Sequence, residues 1–127
     1  MKKIIIVITL LSIVLSLNLV LVDAGNICAQ GAIRVDNSNI IVGGPLDGQP
    51  YEGVLIGTSA SECIYGTEGN DIIYGKGGND EIYASAGDDI VKGGPGNDFI
   101  NGDDFADQMG NDTLIGGPGN DNLQGFN

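Results

Sequence analysis

Between residues 66 and 124 the chain alternates short apolar pulses with longer intervals rich in glycine and acid, and most pulses recur every nine residues. Each pulse is three residues long with an aliphatic residue at its centre: Ile73, Ile82, Val91, Ile100, Leu114 and Leu123. Alternation with a period of two turns that central side chain to one face and its two neighbours to the other, which predicts a three-residue strand with one inward residue. The six-residue intervals carry glycines at fixed places and read as turns. A fixed internal period marks a solenoid, in which each unit buries its apolar residue only by stacking on its neighbours. Two units make one coil of two strands and two turns, so turns on the same side recur every 18 residues.

Aligned on the aliphatic place, the units begin at Gly66, Gly75, Ala84, Gly93, Gly102 and Gly116. The fourth place is Gly69, Gly78, Gly87, Gly96, Gly110 and Gly119, and the sixth is Asp71, Asp80, Asp89, Asp98, Asp112 and Asp121. The unit at 102–115 is five residues too long. Setting residues 105–109 aside as a bulge lets Gly110, Asn111 and Asp112 resume the phrase, whereas strict frame makes Asp107 the acid and Met109 the inward residue. Upstream, 48–56 and 57–65 keep Leu55 and Ile64 at the inward place but carry Gly53 and Glu62 where the aspartate stands. They read as degenerate coils that cap the open end of the solenoid, or as a chance match to the frame.

The remaining organisation follows in order. Residues 1–24 form an export signal: Lys2 and Lys3, an uncharged run over 4–22, then Val22, Asp23 and Ala24 as a cleavage pattern. Cleavage after Ala24 gives a secreted chain, and retention of the run as an anchor gives a cell-surface one, the membrane entering only in that second case. Ile27 stands where a small residue should precede a lipidated Cys28. Residues 25–47 are an irregular segment with short strands at 32–35 and 40–42, 48–65 the degenerate caps, 66–124 the repeat array and 125–127 a tail. Two cysteines, Cys28 and Cys63, either form a bridge tying the irregular segment to the second cap or remain free thiols.

Composition narrows the chemistry. There is no histidine, which removes the commonest zinc ligand and excludes Ser-His-Asp and Cys-His catalysis. Seventeen acidic residues against five basic ones, a net charge of −12, would repel a phosphate backbone and disfavour nucleic acid. Acidity with few aromatics often signals disorder, but here the acids stand in register with glycines and aliphatics.

Glycine at the first and fourth places lets the backbone take positive φ and approach a ligand, and the Asn before most of the aspartates tolerates the left-handed region. Such turns direct carbonyl oxygens inward, and the following Asp adds a carboxylate. A flexible oxygen cage of six to eight ligands suits Ca²⁺ better than Mg²⁺. Same-side stacking pairs Asp71 with Asp89 and Asp80 with Asp98. Carboxylates about 5 Å apart repel by roughly 3 kcal/mol at an effective dielectric of about 20, a cost that a divalent cation between them reverses. One inward aliphatic per unit is a thin core, so folding is expected to be coupled to metal.

The phrase is similar to G-G-x-G-x-D-x-U-x, the calcium-binding repeat of RTX or haemolysin-type proteins. Residues 93–101 and 116–124 match it at every specified place. The resemblance implies an all-β, right-handed parallel β-roll, a β-solenoid with two short strands per coil, and Ca²⁺ held between successive same-side turns. Carried onto this chain, it implies metal ligation by the side chains of Asp71, Asp80, Asp89, Asp98, Asp112 and Asp121. It also implies carbonyls lent by Gly66, Gly69, Gly75, Gly78, Gly87, Gly93, Gly96, Gly102, Gly110, Gly116 and Gly119. Thr67, Lys76, Ser85 and Asp103 replace the second glycine and Ala84 the first of its unit, which points to weaker binding there. Many proteins of this family leave the cell by a carboxy-terminal signal, and the amino-terminal export pattern argues against that route.

The resulting expectation is an exported, non-catalytic calcium-binding β-roll, with calcium-dependent adhesion or self-assembly at the cell surface as the alternative, through the outward Tyr74, Tyr83, Phe99 and Ile115. A carboxylate pair drawn from Asp103, Asp104 and Asp107 is the candidate for glycosidase-type chemistry and fits a ligand or solvated bulge better. Asn111, Asp112 and Thr113 form a glycosylation sequon whose central residue is an expected ligand.

Overall fold

The computed structural model describes Cys28, residues 31–103 and residues 110–125. The export segment and residues 104–109, which include the bulge together with Asp104 and Asp107, lie outside these. The described residues form ten short strands and no α-helix: β1 (Arg34–Val35), β2 (Ile41–Val42), β3 (Val54–Ile56), β4 (Cys63–Tyr65), β5 (Ile72–Tyr74), β6 (Glu81–Tyr83), β7 (Ile90–Lys92), β8 (Phe99–Asn101), β9 (Thr113–Ile115) and β10 (Asn122–Gln124). No helix among them is long and apolar enough to cross a membrane.

Strands β3 to β10 coil into two parallel four-stranded sheets, β3-β5-β7-β9 and β4-β6-β8-β10, with successive strands falling alternately in one sheet and the other. This is a parallel β-roll. The inward residues pair in register, Leu55 with Ile73, Ile73 with Val91 and Val91 with Leu114 in one sheet, and Ile64 with Ile82, Ile82 with Ile100 and Ile100 with Leu123 in the other. Pairing Val91 with Leu114 places the extra five residues in the turn and gives Leu114 the inward place, which the strict frame assigned to Met109.

Leu55, Ile64, Ile73, Ile82, Val91 and Ile100 are fully buried between the sheets. The expected inward set is incomplete at its downstream end: Leu114 is half-buried and Leu123 is 44 % exposed. Among the described residues each belongs to the last rung of its sheet, with a neighbouring strand on one side only. The upstream end is closed. Ile33 pairs with Ile64 as an added parallel rung, its N–H donating to the Cys63 carbonyl at 2.9 Å and its carbonyl accepting from the Tyr65 N–H at 2.9 Å. The antiparallel pair β1-β2 follows, and Ile41, Val35, Leu46 and Tyr51 pack onto the same core. Cys28 and Cys63 are joined by a disulfide with their Cα atoms 4.9 Å apart, so the bridged alternative holds and both sulfurs are withdrawn from thiol chemistry.

Outward side chains are ordered along the sheets. Tyr65 stacks on Tyr83 at 5.2 Å between ring centroids, and Tyr83 meets Phe99 at 5.8 Å. Lys76 and Lys92 place their ammonium groups 5.9 and 5.5 Å from the centre of the Tyr74 ring, a cation–π arrangement on the acidic roll.

Close stacking is what makes certain glycines obligatory. Gly94 has φ +109°, and a Cβ there would collide with the carbonyl oxygen of Lys76 in the preceding coil. Gly53 also has positive φ, +84°, but the nearest atom to its would-be Cβ is 3.8 Å away. Gly53→Ala is therefore expected to cost only the left-handed strain of about 1–2 kcal/mol, and Gly94→Ala distinctly more, because the coil must also move. Denaturant unfolding of both variants in saturating calcium checks this, and equal losses would show that the coils are less tightly stacked.

Candidate metal centre

The turns form two stacks. Turns 48–53, 66–71, 84–89 and 102–112 precede the strands of one sheet, and turns 57–62, 75–80, 93–98 and 116–121 precede those of the other. Every sixth-place carboxylate except Asp71 is tied to the coil before it. Oδ1 of Asp80 accepts the Glu62 N–H at 2.9 Å, that of Asp89 the Asp71 N–H at 2.8 Å, and that of Asp98 the Asp80 N–H at 2.9 Å. Oδ1 of Asp112 and of Asp121 accept the N–H groups of Asp89 and Asp98, both at 3.0 Å. The fold thus brings Asp71, Asp89 and Asp112 together in one stack and Asp80, Asp98 and Asp121 in the other.

The second carboxylate oxygens have a different environment. Asp71, Asp80, Asp89 and Asp98 are all at most 2 % exposed, yet Oδ2 of Asp80, Asp89 and Asp98 has no hydrogen-bond partner among the described residues. A buried unpaired charge is costly, and buried carboxylates are ordinarily paired or coordinated to metal. The first-place glycines Gly66, Gly75, Gly93, Gly102 and Gly116 lie directly against the Oδ2 of their own unit's aspartate, so any side chain there would strike it. The fourth-place Gly78, Gly87, Gly96, Gly110 and Gly119 sit against the fourth-place backbone of the coil before, while Gly69 is open, with only Thr67 Oγ1 at 3.9 Å. The Gly116 carbonyl accepts the Gly94 N–H at 2.8 Å and keeps a second lone pair.

Threonine at the second place satisfies the acid without a cation. Asp71 Oδ2 accepts the Thr67 N–H at 2.6 Å, and the Thr67 hydroxyl reaches both carboxylate oxygens at 3.2 and 3.3 Å. Glu62 likewise accepts the Thr58 N–H at 2.7 Å together with the Thr58 hydroxyl. Among the departures from the repeat, Lys76 and Ser85 hold φ of +84° and +82°, the region that Gly94 and Gly117 occupy in the regular turns.

The fifth-place residues act differently from the sequence expectation. None of Asn70, Asn79, Asn97 and Asn120 has positive φ. Instead Asn70, Asn79 and Asn97 present Oδ1 to the N–H of the next coil, at Asp88 (3.0 Å), Asn97 (2.9 Å) and Asn120 (2.9 Å). Ser61 Oγ and Asp88 Oδ1 do the same for Asn79 and Asn111, both at 2.8 Å. The signal was present as an Asn, Asp or Ser at every fifth place from Ser61 onward: what those types share is a short side-chain acceptor.

Burial raises the carboxyls of this ladder. It lifts Asp71 to about 6 against the Thr67 N–H, and Asp80 to about 6 against the Glu62 N–H, with the charges of Asp98 and Glu62 adding to the rise. Asp89 is lifted to about 7 by burial, opposed by the Asp71 N–H and reinforced by the charges of Asp71, Asp112 and Asp103. Asp98 and Asp112 are also raised, again chiefly by burial.

Unpartnered buried carboxylate oxygens beside glycine carbonyls are an all-oxygen donor set suited to a hard cation, and the fold and turns together define a cation-binding β-roll. The family model for the RTX calcium-binding nonapeptide repeat matches four times, at residues 56–91, 65–100, 74–109 and 108–127, together more than half of the chain. The chain belongs to this family, whose repeats are structural and bind calcium. No curated protein and no solved structure matches it.

Because the folded-state values of Asp71, Asp80 and Asp89 lie above the unfolded 3.8, protonation favours the ion-free fold. That contribution is complete below the unfolded value and is lost as pH rises through about 6 to 7. Protons compete with calcium for these carboxylates, so apparent calcium affinity is expected to rise as pH increases through about 6 to 7. Calcium titrations across a pH series test this, and an affinity that does not change over that range would contradict the assignment.

Proposed function

We propose that this chain is an exported, non-catalytic calcium-binding β-roll whose strands form only as Ca²⁺ enters the stacked turns, secreted or held at the cell surface. Asp71, Asp80, Asp89, Asp98, Asp112 and Asp121 supply the carboxylates, and the first- and fourth-place glycines supply carbonyls. The observation that carries the reading is the set of buried, unpartnered Oδ2 atoms of Asp80, Asp89 and Asp98 in successive coils. Neutralisation by a divalent ion between neighbouring coils converts their repulsion into the attraction that stacks the turns. Low calcium before export would keep the chain unfolded, and the calcium outside would fold it. Residues 48–65, whose Glu62 is satisfied by Thr58, serve as the cap on which the first ion-dependent coil forms. The disulfide fits an oxidising destination.

A second reading, calcium-dependent association of rolls, is favoured by the exposure of Leu123 at 44 % beside strand edges that lack a partner among the described residues. Sedimentation in calcium at increasing protein concentration separates it from a monomeric role.

Circular dichroism of the full chain with chelator and with calcium tests the main reading. Strand signal is expected only with calcium, and Asp80→Asn with Asp98→Asn should raise the calcium needed by about tenfold or more. Full strand content in chelator would overturn the coupling.

A further inference from the structure

The two outward faces of the roll differ, although one repeat writes both. On β4-β6-β8-β10 the outward places are largely polar, Glu81, Asn101, Asn122 and Gln124 among them, and Cys28 is bridged over Cys63. On β3-β5-β7-β9 they are Val54, Ile56, Ile72, Tyr74, Ile90 and Ile115, with Lys92 and Thr113 the polar exceptions. Ile90 and Ile115 are 41 % and 45 % exposed. Contiguous apolar surface of this kind marks an interaction site.

Charge divides the same face across its strands. At the edge where the strands begin, Glu52, Asn70 and Asp88 stand around an open depression of about 370 Å³ whose lining includes Val54, Ile72 and Ile90. At the edge where they end, Lys76 and Lys92 hold their ammonium groups 5.9 and 5.5 Å from the centre of the Tyr74 ring. These are the only lysines beyond the export segment, in a chain with seventeen acidic residues. Both fall on one edge of one sheet, which makes a basic knob across the strands from an acidic socket. Ile72 and Tyr74 share a strand, so socket and knob lie at the same level along the roll.

We propose that two copies of the roll pack face to face through β3-β5-β7-β9, about a two-fold axis parallel to the roll, with Tyr74, Lys76 and Lys92 of each seated in the depression between Glu52 and Asp88 of the other. Such an axis keeps every strand opposite its own copy and reverses its direction, so the ending edge of one sheet lies over the beginning edge of the other, twice. A two-fold along the strands would instead set lysine on lysine and acid on acid. Four strands of three residues make a small face, so the dimer is weak. It uses a different surface from the exposed Leu123 end. It rests on the calcium reading in one respect: ions in the turns remove most of the repulsion between two acidic chains.

Sedimentation of the full chain in saturating calcium tests it, with strand signal by circular dichroism read on the same samples. Wild type should rise from monomer to dimer mass with concentration. Lys76→Glu with Lys92→Glu should weaken association at least about tenfold. Glu52→Lys with Asp88→Asn should do the same, the asparagine keeping the acceptor that Asp88 offers to the Asn111 N–H. Mixed in equal amounts, the two double variants should associate again, because each then meets the opposite charge. A mixture that stays monomeric while both variants are folded overturns the two-fold arrangement, and so does a folded wild type that is monomeric up to about 1 mM. Leu123→Ser should dimerise like wild type; association lost there and kept in both charge variants would assign the contact to the end of the roll and overturn the proposal. A folded dimer in chelator would overturn the calcium coupling alone.

Discussion

The structure depends on carboxylates buried against the backbone of the preceding coil. One oxygen of each accepts an N–H from the coil before, which fixes the vertical position of the turn. The other is left bare in the lower stack members, Asp80, Asp89 and Asp98. Hydrogen bonding alone therefore builds half of the environment a charged group needs, and the calcium proposed for these turns would supply the rest. A core of single aliphatic residues is too thin to offset that deficit by apolar burial.

Several features reinforce the first coils. Thr58 and Thr67 satisfy their own acids, Ile33 adds a rung over Ile64, and the Cys28–Cys63 bridge fastens the covering segment to β4. Further along, threonine no longer stands at the second place, while the fifth-place ladder begun at Ser61 and Asn70 continues through every coil. The chain thus changes, along its length, from turns whose acids are met by threonine donors to turns whose Oδ2 atoms have no partner among the described residues.

Much of this was legible in the sequence because a solenoid writes its geometry as a period. The inward column, the pairing of Ile73 with Val91 and of Ile82 with Ile100, and the same-side grouping of the aspartates all follow from nine-residue spacing and strand alternation. Roles that depend on side-chain direction were not legible. Asn70 and Asn79 read as tolerant of positive φ, and only the stacked backbone reveals them as acceptors. Leu123 carries the same pattern as Ile100, yet its exposure depends on a neighbour that the pattern does not specify. Asp103 breaks the phrase and so looked like damage, whereas its burial and its tie to Gly110 show a placed residue.

The insertion in residues 102–112 shows which dimension of the roll is constrained. One circuit of the backbone uses 18 residues and another uses 23, and both deliver the next strand in register on its neighbour. Pitch is dictated by the hydrogen-bonded ribbons, while perimeter is free to grow at a corner. A roll of this kind can acquire side loops at its corners without disturbing its axis, so new surface is gained there at no cost to the repeating frame.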